Sequence, residues 1–272
     1  MIISGRVFAA VAALAAVAAC ESAPITGRSR LVPMAEEALQ IQAVATYQEQ
    51  MAKQPLSKNP EYTAMVRRVG ERIAKAAENP PNGLWTAPGF ESEFNVIDKP
   101  DVINAYCLPG GKIAVYTGIL PVSQDEAGLA ILMGHEVAHA LMRHHGERLS
   151  NRTAVRAGTV LVGAIVGALI GGRNYRGVGV AAGVGLAVAG NVVALSFSRD
   201  QEAEADRVGL ILAAHAGYDP SGAVGFWERM KAADAHRDRP PEFFSTHPAA
   251  DARIANIQRY LPEAQPYYKP SP

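Results

Sequence analysis

Cysteine is nearly missing from this chain: its 272 residues include two, Cys20 and Cys107. A disulfide framework is therefore excluded, and the fold must be held by its buried core. An excess of charge of either sign is missing as well. The 26 Lys and Arg residues balance 26 Asp and Glu, which removes the basic surface that nucleic acid would require. The apolar run near the N-terminus, Val7 to Ala19, falls short of the roughly 20 residues that a membrane-spanning helix needs.

That run has another use. It follows Arg6 and ends at Cys20, the layout of a secretory signal with its apolar middle region. Val17-Ala18-Ala19-Cys20 resembles the bacterial lipobox, in which cleavage before the cysteine is followed by its lipidation. Residues 1–19 thus read as a signal peptide, Cys20 as a lipid anchor to the membrane, and residues 20–30 as the anchor and a short tether. Glu21, where an aspartate would favour retention at the inner membrane, directs the expectation to the periplasmic side of the outer membrane. With Cys20 acylated, Cys107 has no partner and is expected to pack as a small buried hydrophobe.

About 250 residues remain, enough for one sizeable core. Apolar positions at helical spacing run from Met34 to Met51 and from Tyr62 to Ala77. Phe94 to Ile97 and Lys112 to Tyr116 alternate like strands, the second entered through Pro109-Gly110-Gly111. Helices resume near Gln124 and continue to Leu261, where Pro262 opens a C-terminal tail at 263–272. The expected class is α+β, mainly helical, with a small antiparallel sheet packed against several helices, in one domain at 31–262. Within it, 157–195 holds two nearly charge-free, glycine-rich segments separated by Arg173-Asn174-Tyr175-Arg176. This helical hairpin admits three arrangements: covering the active site, touching the lipid surface, or inserting as a spanning pair.

The chemistry is written at His135-Glu136-Val137-Ala138-His139, an H-E-x-x-H pattern inside an otherwise apolar helical stretch. Residues four apart on a helix lie about 40° apart around the axis and roughly 6 Å along it. His135 and His139 can therefore meet one tetrahedral metal, with Glu136 directed at a water. A third ligand is needed, and Ser198 to Asp206 offers one on a later helix. Glu202 and Asp206 are four apart and share a face, whereas Glu204 lies well round the helix. Glu202 completes a His2Glu set for one Zn2+ per chain and leaves the fourth position open. Asp206 then orients an imidazole or supports Glu202. Extrapolating the first helix, His144 and His145 point away from the metal-binding face and read as surface or interface residues.

H-E-V-A-H followed by E-A-E-A-D resembles the HtpX and CAAX-prenyl-protease group of zinc metallopeptidases, which are gluzincins. Asn104 to Gly111, Ser245-Thr246-His247-Pro248 and Arg253-Ile254 resemble further segments of the same group, so the likeness runs from about Leu31 to Leu261. With the lipobox, it is nearest to bacterial periplasmic lipoprotein members and to Oma-type protease cores. The resemblance implies a gluzincin-type domain and a metalloendopeptidase with Glu136 as general base. His247 and Arg253 are the implied candidates to assist the developing oxyanion, His247 alternatively being an extra metal contact in a closed resting state. It also implies that the strand and turn containing Asn104, Ala105, Gly110 and Gly111 bind substrate by accepting an extended peptide at an edge. Unfolded or misassembled polypeptides are the expected substrates, with other envelope or outer-membrane assembly proteins as partners. The alternative is a catalytically quiet zinc lipoprotein acting as a chaperone or scaffold, against which the intact Glu136 argues.

Overall fold

The computed structural model describes residues 20–31, 36–151, 196–235, 241–248 and 252–270. The apolar run at 1–19 and the glycine-rich insert at 157–195 lie outside the described residues, and so do the expectations attached to them. Among the described residues, no helix is long and apolar enough to cross a membrane. The architecture is the α+β, mainly helical one expected.

The described chain opens with a hairpin of β1 (Cys20–Ser22) and β2 (Ser29–Leu31), paired antiparallel. Two helices follow, α1 (Glu36–Lys53) and α2 (Pro60–Glu78). The start of α2 is fixed by Asn59, whose side chain accepts hydrogen bonds from the Glu61 and Tyr62 amides, with Pro60 in the first turn. Its buried residues, Val66, Val69, Gly70, Ile73, Ala76 and Ala77, recur at spacings of three and four, as one apolar stripe requires.

Three strands form the main sheet: β3 (Glu93–Ile97), β4 (Ala105–Leu108) and β5 (Lys112–Tyr116), in the order β3-β5-β4. The antiparallel expectation holds for β4 and β5 but not for β3, which runs parallel to β5. The cause is topological. β4 and β5 form a hairpin; because β3 pairs with β5 and not with β4, the connection at 98–104 crosses the sheet and β3 and β5 run the same way. The β4–β5 turn uses Gly110 and Gly111 at φ of 83° and 76°, a region that costs residues with a Cβ. β4 is an edge of this sheet, and all four of its residues are buried. Cys107 on it is a buried free thiol within the main core, as expected.

A short helix, α3 (Leu120–Ser123), leads into α4 (Glu126–Leu141), which carries the H-E-x-x-H residues. Asp125 caps α4 by accepting from the Gly128 amide. Every residue from Gly128 to Leu141 is buried, which marks α4 as a central helix covered on all sides. Beyond the insert come α5 (Arg199–His215), α6 (Ala223–Ala235), α7 (Phe243–Thr246) and α8 (Arg253–Ala264). A capping box starts α5: Ser198 accepts from the Gln201 amide, and the Gln201 side chain accepts from the Ser198 amide. Helix α8 does not stop before Pro262 but continues to a fully buried Ala264.

Helices α4 and α5 meet backbone to backbone. A Cβ on Gly134 would lie 2.8 Å from the Gly209 carbonyl oxygen, and one on Gly209 would lie 2.8 Å from the His135 nitrogen. Neither neighbour is a movable side chain, so any larger residue pushes the helices apart. We predict that Gly209→Ala lowers unfolding stability by about 1–3 kcal/mol in urea titrations, within the range for overpacking a close contact. Gly222→Ala, with nothing within 4 Å of the added Cβ, should stay near the unmodified value. Equal stability of the two variants contradicts this account of the crossing.

Candidate metal centre

The α4–α5 crossing sets two histidines of one helix against two carboxylates of the other, and the C-terminal segment supplies the rest. His135 Nε2 and His139 Nε2 are 3.1 Å apart. His247, just after α7, brings its Nδ1 to 3.4 Å from His135 Nε2 and 3.0 Å from Glu202 Oε1. Glu202 Oε1 is also 3.4 Å from His139 Nε2. These four separations lie near the roughly 3.3 Å donor–donor spacing of a tetrahedral site with zinc–ligand bonds of about 2.0–2.1 Å. All four residues are buried, and one donor atom from each lies within 4.8 Å of the other three. Three imidazole nitrogens and a carboxylate converging this closely suit a cation better than one another. The donor set fits zinc.

The donors are held from behind. Phe197 stacks on His139 with ring centroids 3.7 Å apart, and Phe243 stacks on His247 at 4.3 Å. Trp227 meets His135 edge-on at 5.5 Å. Asp206 Oδ1 approaches His135 Nδ1 to 2.9 Å, although this approach is off the hydrogen-bonding direction. Arg253 donates through Nε to Asp206 Oδ2 at 2.9 Å and through a terminal nitrogen to Glu202, and it lies over the Trp227 ring. Burial opposes the Arg253 charge, but Asp206 and Glu202 outweigh it and raise the guanidinium pKa. Burial likewise opposes the Glu202 charge, yet His247, His139 and Arg253 hold its carboxyl well below the usual range.

Glu136 stands beside this cluster without joining it. Its Oε1 is 3.5 Å from His247 Nε2, and no hydrogen-bond donor is aligned on that oxygen. Burial pushes its carboxyl up to about 8; His135 opposes the rise, Glu202 adds to it, and a hydrogen bond from the Cys107 backbone of β4 opposes it. A carboxyl beside the donor cluster but outside it is placed to take and return a proton.

The structure thus brings His135, Glu136, His139, Glu202, Asp206, His247 and Arg253 into one buried site. Asn104 and Ala105, at the entry to β4, are buried, and the backbone of Asn104 is paired with Tyr116. Gly110 and Gly111 serve the β4–β5 turn, the latter packed against Phe90 and Ser92. One expectation is overturned. His144 and His145 are buried, not on the surface. The helical spacing does not carry past Leu141, because α4 ends there and Arg143 turns into the left-handed region at φ 58°. A new helical segment at 144–151 then folds back, placing His144 Nδ1 2.9 Å from His139 Nδ1. Sequence reasoning also missed Phe197, Phe243 and Trp227. Phe197, directly before the capping box, was the one with a local signal.

The sequence matches the model of peptidase family M48 over residues 60–261. The chain belongs to that family. It is a zinc metallopeptidase. This M48 peptidase is 35% identical to the mitochondrial metalloendopeptidase OMA1 of Schizosaccharomyces pombe over 248 residues, 90% of this chain and 67% of the relative. It is 30% identical to the protein of the same name from Saccharomyces cerevisiae, over 92% of this chain and 72% of the relative. The β-barrel assembly-enhancing protease of Escherichia coli K12 is 28% identical over 212 residues, which span 78% of this chain but 41% of that protein.

For this M48 peptidase we predict that Glu202→Ala weakens zinc retention by more than the 10–100-fold typical of losing a residue behind a ligand. Far-UV circular dichroism should be nearly unchanged, because the helix cap at Ser198 and the buried face of α5 are intact. Zinc held as tightly as in the unmodified protein would move the carboxylate ligand elsewhere.

Proposed function

We propose that this chain is a metalloendopeptidase of the bacterial cell envelope that hydrolyses unfolded or misassembled polypeptides, lipid-anchored at Cys20 on the periplasmic side of the outer membrane. The observation that carries the proteolytic part is Glu136: a buried carboxyl beside a four-donor cluster to which it contributes nothing. The anchor rests on the apolar run ending in Val-Ala-Ala-Cys. The likeness to a protease named for β-barrel assembly supports a quality-control role beside other envelope proteins.

His135, His139 and Glu202 would hold one zinc per chain, with His247 as a fourth donor in the resting arrangement. When bound, zinc supplies Lewis acidity toward the scissile carbonyl and toward water. The residues of the chain do the rest. Glu136 takes the proton of the attacking water and delivers it to the leaving amine. Arg253 and Asp206 keep Glu202 and His135 in register. His247 Nδ1 sits among the donors while its Nε2 faces Glu136, so it must swing aside before a peptide carbonyl can enter. Once displaced, it is placed to donate to the oxyanion. The peptide is read as adding to the β4 edge, next to the Cys107 amide that points at Glu136, through backbone pairing that favours extended, unfolded chains.

Glu136→Gln should retain zinc and fold normally, yet cleave casein about 10²–10⁴-fold more slowly. A rate near that of the unmodified enzyme sinks the mechanism. If both forms are inert and both suppress aggregation of a client protein, the scaffold reading replaces it. His247→Ala should raise cleavage of unfolded protein if the resting contact dominates. A loss on the order of 10²-fold, the usual cost of removing an oxyanion donor, would assign it to the transition state instead.

A further inference from the structure

The donor side of His139 faces the metal cluster, while its other nitrogen faces a second set of buried groups that the mechanism does not use. His139 Nδ1 lies 2.9 Å from His144 Nδ1, and His144 Nε2 lies 2.8 Å from Glu204 Oε2. The side chains of His144 and Glu204 are 0% and 2% exposed. Glu204 in turn accepts from the Thr26 hydroxyl and from Arg28 Nη2 at 2.8 Å. Arg28 also forks onto Glu147, at 2.7 and 2.8 Å, and Glu147 accepts from Gln201 at 2.9 Å. Thr26 and Arg28 belong to the connection between β1 and β2, so this chain of contacts joins the N-terminal hairpin to the metal-binding helix. Arg30 of β2 reinforces the docking by donating to the Met142 carbonyl.

The direction of each hydrogen bond follows from valence. A ring nitrogen facing a cation must offer its lone pair, so a neutral His139 carries its proton on Nδ1. That proton can go only to His144 Nδ1, which must then be the acceptor. His144 therefore carries its own proton on Nε2, where the Glu204 carboxylate accepts it. Two imidazoles and a carboxylate are thereby locked into one pattern.

We propose that His144 and Glu204, clasped by Thr26 and Arg28 of the N-terminal hairpin, are positioning residues that fix the tautomer and orientation of His139 and so set how tightly the metal is held. The inference rests on the reading of His139 as a ligand. It makes the hairpin that begins at Cys20 part of the active site's support, so release of that hairpin loosens the centre.

The test uses the zinc-loaded protein with histidine ¹⁵N labelling. Long-range ¹H–¹⁵N spectra should show His139 protonated at Nδ1 and His144 protonated at Nε2. If zinc leaves the His139 Nε2 resonance unmoved, the ligand reading itself fails. If zinc shifts it but His144 carries its proton on Nδ1, the ligand reading stands and the relay is wrong. Chelator competition then reads the strength of the hold. His144→Leu should weaken zinc binding about 10–100-fold, the usual cost of removing a group behind a ligand. His144→Gln, which keeps an acceptor toward His139 and a donor toward Glu204, should recover most of it. Arg28→Ala, at a partly exposed position, should weaken binding in the same direction by less. Equal affinities for the Leu and Gln variants overturn the proposal. Should His144→Leu fail to fold, the tautomers of the unmodified protein decide.

Discussion

Helices usually pack with their axes 8–10 Å apart, side chains filling the gap. Where α4 crosses α5, glycine stands on both sides, and the gap between Gly134 and Gly209 has no room for a Cβ. His135 directly follows one of these glycines, and Asp206 and Glu202 lie one and two turns before the other. The close crossing is what lets side chains of ordinary length converge on one point from two helices. The aromatic rings on His135, His139 and His247, and the Arg253 fork, only refine a meeting that the backbone contact permits.

Charge balance makes the same point from the electrostatic side. Glu202 and Asp206 both accept from one buried guanidinium, Arg253. Burial of an unmatched carboxylate is costly. Burial also disfavours the ionised form of Glu136, and a divalent cation at the cluster would stabilise both carboxylates beside it. The metal site, the depressed Glu202 and the raised Glu136 are one coupled arrangement.

The helix-borne part of this site was legible because it depends on local periodicity. H-E-x-x-H placed two ligands on one face of α4, and the four-residue step from Glu202 to Asp206 separated both from Glu204, which indeed serves the other side of His139. The same periodicity misled at His144 and His145, since nothing in Leu141-Met142-Arg143 announces that Arg143 leaves the helix in a left-handed conformation. The parallel pairing of β3 was hidden for a related reason: strand alternation marks a strand but not its neighbour. Aromatic residues such as Phe243 and Trp227 lie on elements whose packing partners are set only by the tertiary fold, so their place against the ligands had no signature in the sequence.

In the resting protein, three imidazoles and one carboxylate are gathered closely enough to share one zinc. Zinc-edge X-ray absorption on the purified enzyme without substrate reads this directly. Four nitrogen or oxygen scatterers at about 2.0–2.1 Å are expected, with no sulfur at about 2.3 Å and with multiple scattering from three imidazole rings. A sulfur shell, or the signature of fewer than two imidazoles, would contradict that arrangement.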